Sequence, residues 1–247
     1  MDSKPLILIT GANQGLGYYA TQQLAATGNY HILLGSRDLH KADKAIESLV
    51  TDQSSKVNKA DLTPIQIDVT DDESISAAAA RVEHDFGSLD MLLNNAGIAA
   101  AQSASADQTL RQAYLQQFDT NVAGAAAVTE TFLPLLHKGQ SKRIAFVSTG
   151  LSSLQKADDG SQSVSKFPIY RTTKTALNMV MLYYARTLED QGFVVGAPAP
   201  GFCATNLNNH SGKKDPRDGA RLLVEALLGR KEDVHARVFS EGGREPW

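Results

Sequence analysis

Short apolar runs punctuate this chain at intervals that leave room for one helix between neighbours, and that rhythm limits its folds more than any other feature. Leu6–Thr10, Tyr30–Gly35, Pro64–Val69, Leu89–Leu93, Arg143–Ser148, Phe193–Ala197 and Ala236–Phe239 are each four to six residues long. Runs that are apolar at nearly every position suit strands covered on both faces. Helical patterns fill the gaps, over 15–27, 38–50, 72–86, 108–137, 168–191 and 216–229. In the first of them Leu16, Tyr19, Ala20 and Leu24 fall on one face at a 3.6-residue period. Strand–helix alternation builds right-handed βαβ units on a parallel sheet. The expectation is an α/β protein, doubly wound, with a seven-stranded parallel sheet flanked by helices. Neither a linker nor an internal repeat interrupts residues 1–247, so one domain is expected.

Charge and cysteine usage exclude several function classes. Lys and Arg number 24 against 27 Asp and Glu, a net charge of −3. That balance offers no basic surplus for nucleic acid. Cys203 is the single cysteine, so no internal disulfide can form and a reducing compartment is expected. The six histidines, at 31, 40, 84, 137, 210 and 235, show no metal-ligand spacing. The opening MDSKPLILIT carries an apolar stretch too short for a signal peptide or a membrane span. A cytoplasmic protein with no membrane or nucleic-acid partner is the expectation.

Three stretches break the regular pattern: the loops over 98–108, 150–168 and 202–216, all small or polar and all following strands. In an open parallel sheet such segments gather at the carboxyl ends of the strands, where ligands bind. One further segment there has a defined chemistry. Thr10–Gly17 reads TGANQGLG, between the first strand and the first helix. Its glycines allow a tight turn and close backbone approach, and the helix N-terminus turns N–H groups toward an anion. A dinucleotide pyrophosphate fits that combination. The end of the second strand should then choose the dinucleotide, since a ribose 2′-OH wants a carboxylate and a 2′-phosphate wants a cation. Gly35-Ser36-Arg37-Asp38 stands there. Ser36 and Arg37 can hold a phosphate, and Asp38 is well placed to cap the next helix. NADP is expected in preference to NAD.

The glycine loop, Asn94-Asn95-Ala96-Gly97, the Phe118–Gly124 run FDTNVAG, Tyr170-x-x-x-Lys174 and Pro200-Gly201-Phe202-Cys203-Ala204-Thr205 occur in one order along nearly the whole chain. That set resembles the short-chain dehydrogenase/reductase family, and the ending VFSEGGREPW is most similar to its carbonyl-reductase and sniffer-like branch. The resemblance implies a Rossmann fold and hydride exchange between NADP(H) and a carbonyl or alcohol on a medium-sized organic substrate (EC 1.1.1 type). It implies a pyrophosphate site at Thr10, Gly11, Asn13, Gln14, Gly15, Leu16 and Gly17. Asp68 and Val69 would flank the adenine, and Asn95, Ala96 and Gly97 would line the adenosine half. Pro200, Gly201 and Thr205 would serve the nicotinamide end. NADP-preferring relatives often carry a basic residue where this chain has Gln14, which leaves charge recognition to Arg37.

Tyr170 and Lys174 lie four apart, on one helix face. A free tyrosine, with a pKa of about 10, holds its proton too tightly to cycle near neutrality, and a neighbouring ammonium should lower that value. By resemblance Tyr170 is the proton donor, Lys174 its electrostatic partner and ribose ligand, and Asn121 the holder of a relay water. The family's orienting serine corresponds by register to Thr149, with Ser148 and Ser152 as alternatives if the strand end is bulged. In many relatives the helices around 108–137 and 168–191 pair as dimers or tetramers. Met179, Met181, Leu182 and Tyr183 would serve a homodimer or homotetramer, or equally a core. Two rival readings keep the fold: a silent dinucleotide-binding regulator, against which the Tyr–Lys pair argues, and a biosynthetic enzyme running a non-redox step.

Overall fold

The computed structural model describes residues 4–53, 55–99 and 108–247. Its strands and helices alternate as β1 (Leu6–Ile9), α1 (Gly15–Ala25), β2 (His31–Ser36), α2 (Leu39–Thr51), β3 (Leu62–Gln66), α3 (Asp72–Phe86), β4 (Met91–Asn94), α4 (Leu110–Phe118), α5 (Gly124–Lys138), β5 (Arg143–Phe146), α6 (Leu154–Asp158), α7 (Pro168–Thr187), β6 (Val194–Pro198), α8 (Pro216–Leu228), α9 (Lys231–Val234), β7 (Val238–Ser240) and β8 (Gly243–Arg244). The sheet order is β3-β2-β1-β4-β5-β6-β7-β8. The first seven strands are parallel, as the apolar runs predict; β8 adds an antiparallel eighth through the pair Phe239 and Arg244. Two residues are too few to show a period, so β8 has no signature in the sequence.

Strand alternation sorts the core into two layers. Leu8, Leu33, Leu92, Ile144, Phe146 and Val195 face α3, α5 and α7. Ile7, Ile9, Ile32, Leu34, Leu93, Ala145 and Val147 face α1, α2 and α8. Every strand of the parallel core is thus covered on both sides, which explains its near-continuous apolar sequence. β3 is the edge strand, paired only with β2, and tolerates Pro64 within it because an edge residue can spare its N–H. Local signals set the helix starts. Asp38, Asp71, Ser153 and Asp215 accept backbone N–H groups at the N-caps of α2, α3, α6 and α8. Thr109 and Gln112 form a capping box at α4.

One helix expected over 108–137 is instead two, α4 and α5, joined by a single π turn over Asp119–Ala123. The C-terminal end of that turn is tightly constrained: Gly124 lies so close to the Val69 carbonyl that a side chain has no room there. Asn121 sits within the bulge, where such turns often carry function. The 202–216 loop is described in full, and so is the 150–168 loop, which contains a 3₁₀ turn (Gly150–Ser152) and α6. Of the 98–108 loop, residues 100–107 lie outside the described residues. Along α7, Met181 and Tyr184 are core, Leu182 is half-buried, and Met179 and Tyr183 are exposed.

Candidate active site

At the carboxyl ends of β1 and β4 two loops are stitched together. The Thr10 hydroxyl accepts from the backbone N–H groups of Asn95 and Ala96, each at 3.0 Å. The Asn95 amide donates back to the carbonyls of Thr10 (2.8 Å) and Gly11 (3.1 Å). Gly11 and Gly15 adopt left-handed φ values of +61° and +60°. That conformation costs glycine nothing and other residues more. A Cβ on Gly11 would fall 3.0 Å from Ala96 Cα, and one on Gly17 would fall 2.5 Å from the Asn95 amide nitrogen. The chain is therefore drawn tightly round the N-terminus of α1. Gln14 gives that helix no side-chain cap, so its leading N–H groups remain available to an anion. Asn13 and Leu16 are half-buried at the same turn.

The loop after β6 crosses the same region. Thr205, buried, lies opposite Gly15, whose Cβ would be 3.6 Å from that of the threonine. Asn206 donates to the Gln14 side chain at 2.7 Å. The base of the loop is held by Lys214, which donates to the Pro200 carbonyl at 3.1 Å and pairs with Glu241 at 2.7 Å. Gly201, at φ +87°, makes the turn out of the strand. Cys203 is buried, and that burial pushes its thiol pKa up, which makes it an inert packing residue.

Beyond β2, Ser36 is buried and its hydroxyl accepts from the Asp38 N–H at 3.2 Å. Asp38 caps α2 by accepting from the Lys41 N–H at 3.3 Å, and its other oxygen lies 3.9 Å from the Lys41 ammonium. Arg37 is exposed, and its guanidinium makes no ion pair among the described residues. The cation at the end of β2 is thus left without an ion pair among the described residues, while the neighbouring carboxylate is turned into the helix. After β3, Asp68 is half-buried and accepts from the Thr70 N–H (3.0 Å) and hydroxyl (2.8 Å). Its neighbour Val69 is buried.

α7 brings Tyr170 and Lys174 to the same face, with the ammonium 5.8 Å from the tyrosine ring centroid. Lys174 is buried, and it donates to the Val147 carbonyl at 2.8 Å. Burial pushes Tyr170 up to about 12 and Lys174 down to about 8. For the tyrosine this is opposite to the sequence expectation. The cause of both shifts is desolvation, which penalises tyrosinate and ammonium alike, although the tyrosine side chain keeps part of its surface exposed. Asn121 is also buried. It accepts from the Ile98 N–H (2.8 Å) and donates to the Ile98 carbonyl (2.8 Å) and the Thr173 hydroxyl (3.0 Å). Gly97 separates it from the lysine: a Cβ there would lie 3.2 Å from Asn121 Oδ1 and 3.6 Å from Lys174 Nζ.

The three candidate hydroxyls after β5 differ in what they already do. Ser148 and Ser152 are buried, and both bind the Asn178 amide, at 2.6 and 2.8 Å. Thr149 is half-buried, and its oxygen accepts from the Leu151 N–H at 3.2 Å, which leaves its proton to give. Thr149 is extended (φ −157°, ψ 150°), with no bulge before it. Asn178 belongs to none of the motifs singled out in the sequence. Its only signal there is its spacing, four residues beyond Lys174 on the same helix face.

Comparisons with known proteins place the chain in a family. The family model for short chain dehydrogenases matches residues 5–216. The chain is 46% identical over 246 residues to the short-chain dehydrogenase anuI of Penicillium roqueforti, covering 97% of this chain and 95% of that protein. It is 34% identical to the short-chain dehydrogenase/reductase tropE of Talaromyces stipitatus, covering 100% of this chain and 99% of that one. Among solved structures, NADPH-bound carbonyl reductase from chicken fatty liver superposes with a TM-score of 0.79 at 25% identity, covering 99% of each chain. Carbonyl reductase Sniffer of D. melanogaster reaches 0.81 at 24% identity, covering 99% of this chain and 100% of that one. The glycine loop, the stitched NNAG segment and the Tyr170–Lys174 pair thus stand in the chain of a short-chain dehydrogenase, the oxidoreductase family to which this protein belongs.

Proposed function

We propose that this protein is an NADPH-dependent reductase of ketones or aldehydes on a medium-sized organic substrate. The observation that carries the cofactor reading is Arg37, which makes no ion pair among the described residues, beside buried Ser36, with Asp38 engaged as a helix cap. A guanidinium and a hydroxyl suit a 2′-phosphate, whereas a carboxylate would be needed for a bare ribose. The NADPH held by the chicken carbonyl reductase supports the same choice. Bound NADPH would supply the hydride. Tyr170 would give its phenolic proton to the carbonyl oxygen as negative charge builds there, and Thr149 would donate a hydrogen bond to the same oxygen. Lys174 would hold the ribose hydroxyls and stabilise the tyrosinate left behind, and Asn121 would position the return path of the proton. The high pKa of Tyr170 suits it to hold a proton until the cofactor's charge and the developing alkoxide draw it off. A small-molecule carbonyl panel assayed with NADPH and NADH in parallel tests the proposal, together with Tyr170→Phe. NADPH-dependent turnover lost by at least about a hundredfold in the variant supports it; near-full turnover by the variant, or a strong NADH preference, overturns it.

A further inference from the structure

We propose that Asn178 is a positioning residue of this site, acting on the carbonyl-orienting hydroxyl of Thr149 without touching it. The inference rests on the reductase reading above. Tyr170, Lys174 and Asn178 recur every four residues on α7, and the latter two bind the residues just beyond β5. Asn178 is 5% exposed, and an amide buried that deeply costs stability unless both its ends are bonded. Both are. Its oxygen accepts from the Ser148 hydroxyl at 2.6 Å, and its nitrogen donates to the Ser152 hydroxyl at 2.8 Å. Ser152 then donates to the Thr149 carbonyl at 2.6 Å. The polarity of the chain is therefore set throughout: Ser148 to Asn178, Asn178 to Ser152, Ser152 to the backbone of Thr149.

An apolar side chain would fill this volume as well. What the amide adds is a fixed distance between residues 148 and 152, on either side of Thr149. Neighbouring groups complete the clamp from the same helix: Lys174 holds the Val147 carbonyl at 2.8 Å and Thr175 holds the Ser152 carbonyl at 2.9 Å. From the sheet, the Ser148 N–H is tied to the Pro198 carbonyl at 2.9 Å. With its backbone held on both sides, the one hydroxyl not drawn into the network has a defined direction. Displacing a reacting or orienting group by about an ångström can cost on the order of 100-fold in rate.

A double-mutant cycle between Asn178→Ala and Thr149→Val tests the assignment. Asn178→Ala alone should lower kcat with NADPH by on the order of 10- to 100-fold, with the NADPH dissociation constant, read by nucleotide fluorescence, unchanged. In the Thr149→Val background the same change should cost less than about threefold, because the group it positions is gone. Equal losses in the two backgrounds, or a loss seen only as weaker NADPH binding, overturn the proposal. If Asn178→Ala does not fold, the cycle is run with Ser152→Ala, which breaks the same chain one bond later, under the same criteria. The two readings fail separately. Turnover retained by Tyr170→Phe overturns the reductase reading and this inference with it; turnover abolished by Tyr170→Phe with an additive cycle overturns the role of Asn178 alone.

Discussion

Replacing Lys174 with methionine should change how stability depends on pH, and the size of the change follows from burial. Lys174 is 4% exposed, and its pKa falls from 10.5 to about 8 on folding. A folded pKa below the unfolded one means that, between the two, the unfolded chain holds a proton the folded chain has released. Unfolding then becomes less favourable as pH rises through that window, from about 8 to 10.5. At about 1.4 kcal/mol per pKa unit, the full window is worth about 3 kcal/mol, and the part up to pH 9.5 about 2 kcal/mol. Tyr170 works in the other direction, because its pKa is raised from 10.0 to about 12, but only above pH 10. Thermal melts of wild type and Lys174→Met between pH 7 and 9.5 isolate the lysine, since every other titrating group is shared. The variant also loses the hydrogen bond to the Val147 carbonyl, but that offset is the same at every pH and drops out of the slope. Wild type should gain about 2 kcal/mol on the variant across the range, or roughly 4–8 °C in melting temperature for a chain of this size. Parallel profiles would refute the reasoning, because they would mean that Lys174 is charged and well solvated in the folded state.

Two other outcomes follow from contacts elsewhere. Arg37→Ala should raise the KM for NADPH by about 10- to 100-fold, the worth of a charge-assisted phosphate contact, and leave the KM for NADH nearly unchanged; equal effects on both cofactors would show that Arg37 does not read the phosphate. His235 accepts the Val195 N–H at 3.1 Å through Nδ1, deep against β6, and burial lowers its pKa from 6.5 despite the opposing charge of Glu189. Its neutral form is the one the fold uses, so stability should be lost as pH falls below about 6.5 through the folded pKa, and His235→Asn should flatten that loss in urea titrations between pH 5 and 7.

The periodic patterns carried the architecture because backbone hydrogen bonding and burial act within each segment. Alternation placed Ile7 and Ile9 on one sheet face and Leu8 on the other, and TGANQGLG, between strand and helix, marked the turn that opens α1. The spacing of Tyr170 and Lys174 was equally local, and α7 presents them together. Boundaries were less legible. The π turn at Asp119–Ala123 lies where Gly124 meets the Val69 carbonyl, a contact between residues far apart in the sequence.

Within the site, sequence alone determined which residue types stood at the ends of which strands, since motif and period are properties of neighbours along the chain. Only the tertiary structure decided what each one is free to do. Register favoured Thr149 over Ser148 and Ser152 but could not say what each hydroxyl is bonded to; the amide of Asn178, twenty-six to thirty positions away, engages the two serines and leaves Thr149. The direction of the Tyr170 shift likewise depends on how much protein surrounds the pair, which no local pattern records. Hydrogen-bond partners and desolvation come from residues brought close by folding, and they, more than the identity of the side chain, set its chemistry.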